Sequence, residues 1–239
     1  MADRWIVGSS MGFVEGTRTF FSPGPVFDHL AELAGVEGRV RLTVLNTAGG
    51  DADHWAGRVH EAFYGSRFDV TVLKLVTMPN VEDPAQLLLD SDVVWVNGGS
   101  VAALLALWRL HGLDDAMRAA WEAGVVLGGV SAGSICWHEG GPTDSFGPDL
   151  RGITNGLGFL PYGCGVHYDG EGQRRPLLHR MVGDGSLPLS YATDDGCGIV
   201  YRGTEVHEVI ADREGAQAYR VERAADGTVS ETALPARLL

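Results

Sequence analysis

The chain has 239 residues, 45% of them hydrophobic, with 31 acidic against 18 basic side chains and a formal net charge of −13. That length is enough for one sizeable core, and no Pro/Ser-rich linker interrupts it, so a single domain over 1–239 is expected. The acidic balance excludes a basic nucleic-acid-binding face, and no apolar run is long enough for a membrane span or a secretion signal; a cytoplasmic protein with neither nucleic-acid nor membrane partners is expected.

Short apolar runs alternate with amphipathic stretches through the first half of the chain. The pattern predicts strands at 5–8, 40–45, 69–75, 92–97 and 125–127, and helices at 27–33, 54–64, 84–89, 101–110 and 112–123. Such alternation builds a parallel sheet covered on both faces. Beyond Gly140 the order loosens. Residues 142–165 are rich in Gly, Pro and Asp, and the apolar runs at 187–192, 198–201, 206–210 and 217–221 read as short strands, the last ones as hairpins. A mixed sheet is therefore expected, parallel at its centre and antiparallel toward the C-terminal end. Ligands in such sheets bind beyond the carboxyl ends of the strands. That rule gathers the loops after Asn46, after Asn97 and around Ser131 on one rim.

The segment Val125-Val-Leu-Gly-Gly-Val-Ser-Ala-Gly-Ser-Ile-Cys-Trp137 carries the chemistry. Gly129-Val130-Ser131-Ala132-Gly133 fits G-x-S-x-G, in which a strand turns sharply into a helix and holds the serine in a strained conformation. Small neighbours are needed because the chain passes close to itself. The hydroxyl then stands at the rim, beside helix-terminal N–H groups able to meet a developing oxyanion.

A serine hydroxyl needs a base, and the base is usually oriented by an acid. Of eight histidines, His167 ends a short apolar run before a polar turn, which is a strand-end position on the rim. His29, His54 and His60 lie in or near upstream helices, His138 follows Ser131 by two helical turns, His179 sits in an amphipathic stretch and His207 in a strand. For the acid, Asp144, Asp149, Asp169, Glu171, Asp194 and Asp195 all remain open on pattern alone. Cys136, Cys164 and Cys197 are odd in number and widely spaced, without a C-x-x-C or H-E-x-x-H pattern. Free thiols are expected, with no metal and no other cofactor.

Together Asn97-Gly-Gly-Ser100, Gly129-Val-Ser-Ala-Gly-Ser134 and His167-Tyr-Asp-Gly-Glu171 resemble the peptidase E (aspartyl dipeptidase) branch of the serine peptidase family that also contains cyanophycinases, over about Val40 to Gly198. The resemblance implies an α/β, flavodoxin-like three-layer sandwich related to class I glutamine amidotransferases. It implies an exopeptidase that hydrolyses short peptides, dipeptides with an N-terminal Asp among them, through an acyl-enzyme on Ser131. His167 matches the family base, and Asp144 is the nearest equivalent of its acid. Backbone amides of Gly98, Gly99 and Ala132 would form the oxyanion hole. Arg174 and Arg175 are the candidates for a substrate carboxylate. Ser100, standing where many relatives carry Asn, and Glu171 are further substrate-binding candidates. Glu171 is also expected to pair with Arg175 at i+4 spacing. A small peptide is the expected partner, with a monomer or homodimer as the assembly. A cyanophycinase-like or other small acyl hydrolase, or a non-catalytic binding protein on the same scaffold, are the alternatives.

Overall fold

The structure is a computed structural model that describes residues 3–239. In chain order its first half contains β1 (Trp5–Ser9), β2 (Phe13–Glu15), β3 (Phe21–Pro23), α1 (Pro25–Leu33), β4 (Val40–Leu45), α2 (Asp53–Ala62), β5 (Phe68–Leu73), α3 (Pro84–Leu89), β6 (Val93–Val96), α4 (Val101–His111) and α5 (Leu113–Ala123). The second half contains β7 (Val126–Val130), α6 (Ala132–Ile135), β8 (Gly141–Thr143), β9 (Arg151–Ile153), β10 (Gly163–Gly165), α7 (Arg174–Gly183), β11 (Ser190–Thr193), β12 (Cys197–Arg202), β13 (Glu205–Ala211), β14 (Gln217–Arg223), β15 (Val229–Pro235) and β16 (Arg237–Leu238).

Eight strands form the main sheet in the order β16-β13-β12-β1-β7-β6-β4-β5. The run from β1 to β5 is parallel, as its helical crossovers require, and β12 joins β1 antiparallel. Alternating side chains sort to the two faces. Leu42, Val44, Val93, Trp95 and Val126 pack under α1 and α2, whereas Leu45, Val94, Val96 and Leu127 pack under α4 and α5. Both faces are thus buried, which explains the near-continuous apolar character of these strands.

The predicted elements of the first half coincide with the observed ones to within a few residues. β7 runs on to Val130, because its two glycines are interior strand positions. A side chain on Gly128 would press on Trp95 and Leu30 from the facing core. The C-terminal part differs from the single mixed sheet expected. β12 and β13 do form a hairpin and extend the main sheet, but β14 does not pair with β13. It leaves for a second sheet of order β10-β11-β14-β15, closed over α7 by Tyr168, Leu178, Val182, Ala192 and Val221. In that second sheet Val221 of β14 packs against Leu178 and Val182 of α7.

Candidate active site

The end of β1 is the organising point of the rim. Ser131 N–H donates to the Ser9 carbonyl at 3.1 Å, His167 N–H donates to the Ser10 hydroxyl at 2.9 Å, and Gly196 N–H donates to the Ser10 carbonyl at 3.0 Å. Two adjacent serines therefore moor the Ser131 turn, the His167 loop and the loop after β11. Nothing in the sequence pattern singles out Ser9 and Ser10. Their small, hydroxyl-bearing side chains at a strand end are the only local signal they carry.

Ser131 adopts φ 57 and ψ −116, a strained backbone for a residue with a side chain. Close packing enforces it. A Cβ on Gly133 would collide with the Val96 carbonyl, and one on Gly129 with the Gly133 carbonyl. The turn fits only because both positions lack one. α6 follows at once, with Ser134 and Ile135 N–H donating to the Ser131 carbonyl. The Ala132 N–H, on the first residue of α6, has no acceptor among the described residues, and neither have those of Gly98 and Gly99. Gly98 abuts Ser131: a Cβ placed there would lie 3.1 Å from Ser131 Cβ and 3.6 Å from its Oγ. Gly99, at φ 134, is held against the Ala48 carbonyl.

His167 also has positive φ, 52, and its Nδ1 lies 2.5 Å from Asp195 Oδ1. A carboxylate accepts, so Nδ1 is the donor to Asp195 and Nε2 is the ring nitrogen on the opposite edge. Asp195 is in turn fixed by its backbone: its N–H donates to Asp169, and its carbonyl accepts from Arg213 Nε and Nη2 at 3.0 and 2.8 Å. Arg213 also pairs with Asp169. Burial works to raise the Asp169 carboxyl, but the Asp195 N–H and Arg213 outweigh it and hold it below the ordinary value.

The acid beside the ring is therefore Asp195 and not Asp144. β10 and β11 are parallel neighbours, so the loops leaving their carboxyl ends emerge side by side and carry His167 and Asp195 together. Asp144 instead follows β8, is exposed, and accepts the Gly147 N–H through its carbonyl in a turn. Asp149 lies in the same exposed loop.

Both arginines expected at a substrate carboxylate are engaged elsewhere. Arg174 is 2% exposed, with Nε on Glu171 at 2.8 Å and Nη1 on the Pro142 carbonyl. Glu171 thus pairs at i+3 with Arg174 rather than with Arg175, because the first turn of α7 turns Arg174 inward. Arg175 pairs with Glu231 and lies over the rings of Tyr168 and Tyr219. Ser100 caps α4, accepting the Ala103 N–H.

His138 is buried behind the elbow, with Nδ1 on the Ser134 carbonyl at 2.9 Å; burial lowers its pKa to about 4. All three cysteines are free and buried, and burial raises Cys164 and Cys197 to about 12, so none is a thiolate nucleophile near neutrality. Among the described residues no group of three or more His, Cys, Asp or Glu is set to hold a metal ion. No helix among them is long and apolar enough to cross a membrane.

A strained serine at a strand-to-helix turn, a carboxylate-oriented histidine and free amides beside the serine are the parts that a serine hydrolase site on an open α/β sheet requires. The profile of peptidase family S51 matches residues 17–209, and the chain belongs to that family; it is a serine-type peptidase. It is 39% identical over 199 residues to the "uncharacterized peptidase YgaJ" of Bacillus subtilis (strain 168), covering 83% of this chain and 85% of that one. It is 27% identical over 152 residues to a peptidase E of Shewanella denitrificans, covering 60% and 64%. In structure it resembles a peptidase from an acI-B1 Actinobacterium with TM-score 0.68 at 17% identity, over 99% of this chain and 95% of that one.

Proposed function

We propose that this peptidase acts on short peptides, dipeptides among them, through an acyl-enzyme on Ser131, with His167 as general base and Asp195 as its orienting acid. Nε2 of His167 removes the hydroxyl proton as Oγ bonds to the carbonyl carbon. The negative charge then falls on the carbonyl oxygen, facing the amides of Gly98, Gly99 and Ala132. When the tetrahedral adduct collapses, the C–N bond breaks and His167 returns its proton to the leaving amine. Water, deprotonated by the same nitrogen, attacks the ester, and the acid product leaves as Ser131 regains its proton. Asp195 keeps Nδ1 protonated and steadies the imidazolium. Three buried free thiols suit a reducing cytoplasm.

The observation that carries this reading is the common mooring of the Ser131, His167 and Asp195 loops on Ser9 and Ser10, with Asp195 on the histidine ring. A fluorophosphonate probe is expected to label the wild type and not Ser131→Ala. On a dipeptide library, Ser131→Ala and His167→Ala should each lose about 10³-fold or more in kcat. Wild-type turnover by His167→Ala would remove the base assignment.

A further inference from the structure

Beside the nucleophile lies a cavity of ≈ 350 Å³ among the loops at the ends of β1, β4, β6 and β7. Gly98, whose Cβ position adjoins Ser131, forms part of its wall, together with Met11, Phe13, Trp55, Asn46 and Asn97. Its lining contains no Lys, Arg, His, Asp or Glu. Asn46 and Asn97 are 4% and 3% exposed, and the amide nitrogen of each has no hydrogen-bond partner among the described residues. The orientation of Asn97 is set by Trp95, whose Nε1 donates to its Oδ1 at 3.0 Å, so its NH₂ group is left over. Buried donors without acceptors are uncommon, and both of these belong to residues of the cavity wall.

We infer that this cavity receives the side chain of the acyl residue, the one whose carbonyl Ser131 attacks, and that it selects an uncharged side chain with a hydrogen-bond acceptor, such as Gln, Asn or Tyr, over Asp or Glu. The inference rests on the acyl-enzyme reading above. Gly98 joins the two: its amide meets the carbonyl oxygen, and the space behind it takes what the same carbonyl carbon carries. The selectivity follows from charge. A carboxylate there would leave water for an apolar wall and two neutral amides, with no cation to offset the loss. The cations nearest in sequence to the histidine loop are committed, Arg174 to Glu171 and Arg175 to Glu231. A neutral carbonyl or hydroxyl loses far less hydration and satisfies the amides equally well.

The test is kcat/KM of the full chain on isosteric pairs, Gln-Ala against Glu-Ala and Asn-Ala against Asp-Ala, with fluorophosphonate labelling in parallel. The neutral member of each pair is expected to lead by about tenfold or more. Asn46→Asp, which keeps the shape of the side chain, should widen the gap, and Trp55→Arg, which brings a cation to the wall, should narrow or reverse it. A wild type that prefers Asp-Ala to Asn-Ala overturns the inference while leaving the peptidase reading intact, as does an Asn46→Asp variant, folded by its thermal melt, with unchanged ratios. No turnover of any dipeptide together with no labelling of Ser131 overturns both.

Discussion

The turn that carries Ser131 and the His167–Asp195 pair are built in opposite ways. The elbow is local: within Val125–Trp137 the strand, the turn and the helix are consecutive, and the serine's conformation is dictated by glycines that pack against their own neighbours and β6. The His167–Asp195 pair is assembled at a distance. It needs two parallel strands of a second sheet, a hydrogen bond across 28 residues, and the Arg213–Asp169 bracket that holds the Asp195 backbone. The contrast shows where each half is fragile. The elbow fails by steric crowding, whereas the pair fails by loss of polar contacts, which leaves the fold standing.

Gly133→Ala puts a methyl group into the Val96 carbonyl, a backbone atom that cannot swing away. We expect a loss of about 4 kcal/mol or more in unfolding free energy, read by chemical denaturation, at the upper end of single-substitution effects. A variant with wild-type stability would show that the turn is looser than its packing indicates.

Asp195→Asn should leave the melting temperature nearly unchanged and lower kcat by roughly 10²–10⁴-fold, since the ring loses its orienting carboxylate. The same change at Asp144 serves as the control, with an effect within about threefold on kcat, because that side chain is exposed and the ring's carboxylate partner is Asp195. Were Asp144→Asn the more damaging of the two, the acid would have to be reassigned.

A pH experiment sharpens the comparison from behind the elbow. His138 titrates near 4 when folded, because burial disfavours its charged form, against about 6.5 when unfolded. Between those values the unfolded chain binds the extra proton. Stability contributed by neutral His138 is therefore full above about 6.5 and falls with pH until about 4, by ~3 kcal/mol in all. Denaturation midpoints across this window should slope in the wild type and flatten in His138→Gln. An unchanged slope would assign the acid sensitivity to other groups, such as the Arg213-paired Asp169, whose lowered carboxyl acts at still lower pH.

Much of the fold's first half was legible because its strands and helices carry their own periodicity and end in Gly, Asn or Asp. The alternation 40–45, 54–64, 69–75, 84–89 and 92–97 leaves little choice but a parallel sheet with crossovers. The sharp turn at Ser131 was legible for the same reason, since its steric demand is written into the residues that make it. The strand-end position of His167, and the rim that Gly98-Gly99 shares with the elbow, were legible in the same way.

The tertiary structure alone decided what that histidine leans on. Asp144, Asp169, Asp194 and Asp195 are indistinguishable as loop carboxylates; choosing among them requires the pairing of β10 with β11, which no local pattern encodes. The same holds for Arg174, whose inward turn depends on Pro142 in another segment, and for Asn46 and Asn97, polar residues whose lack of partners appears only when the loops meet. Sequence determines what backbone stereochemistry and hydrophobic period impose within a dozen residues. Contacts between strand ends far apart in the chain are settled by burial of shared apolar faces, and it is these contacts that complete the site.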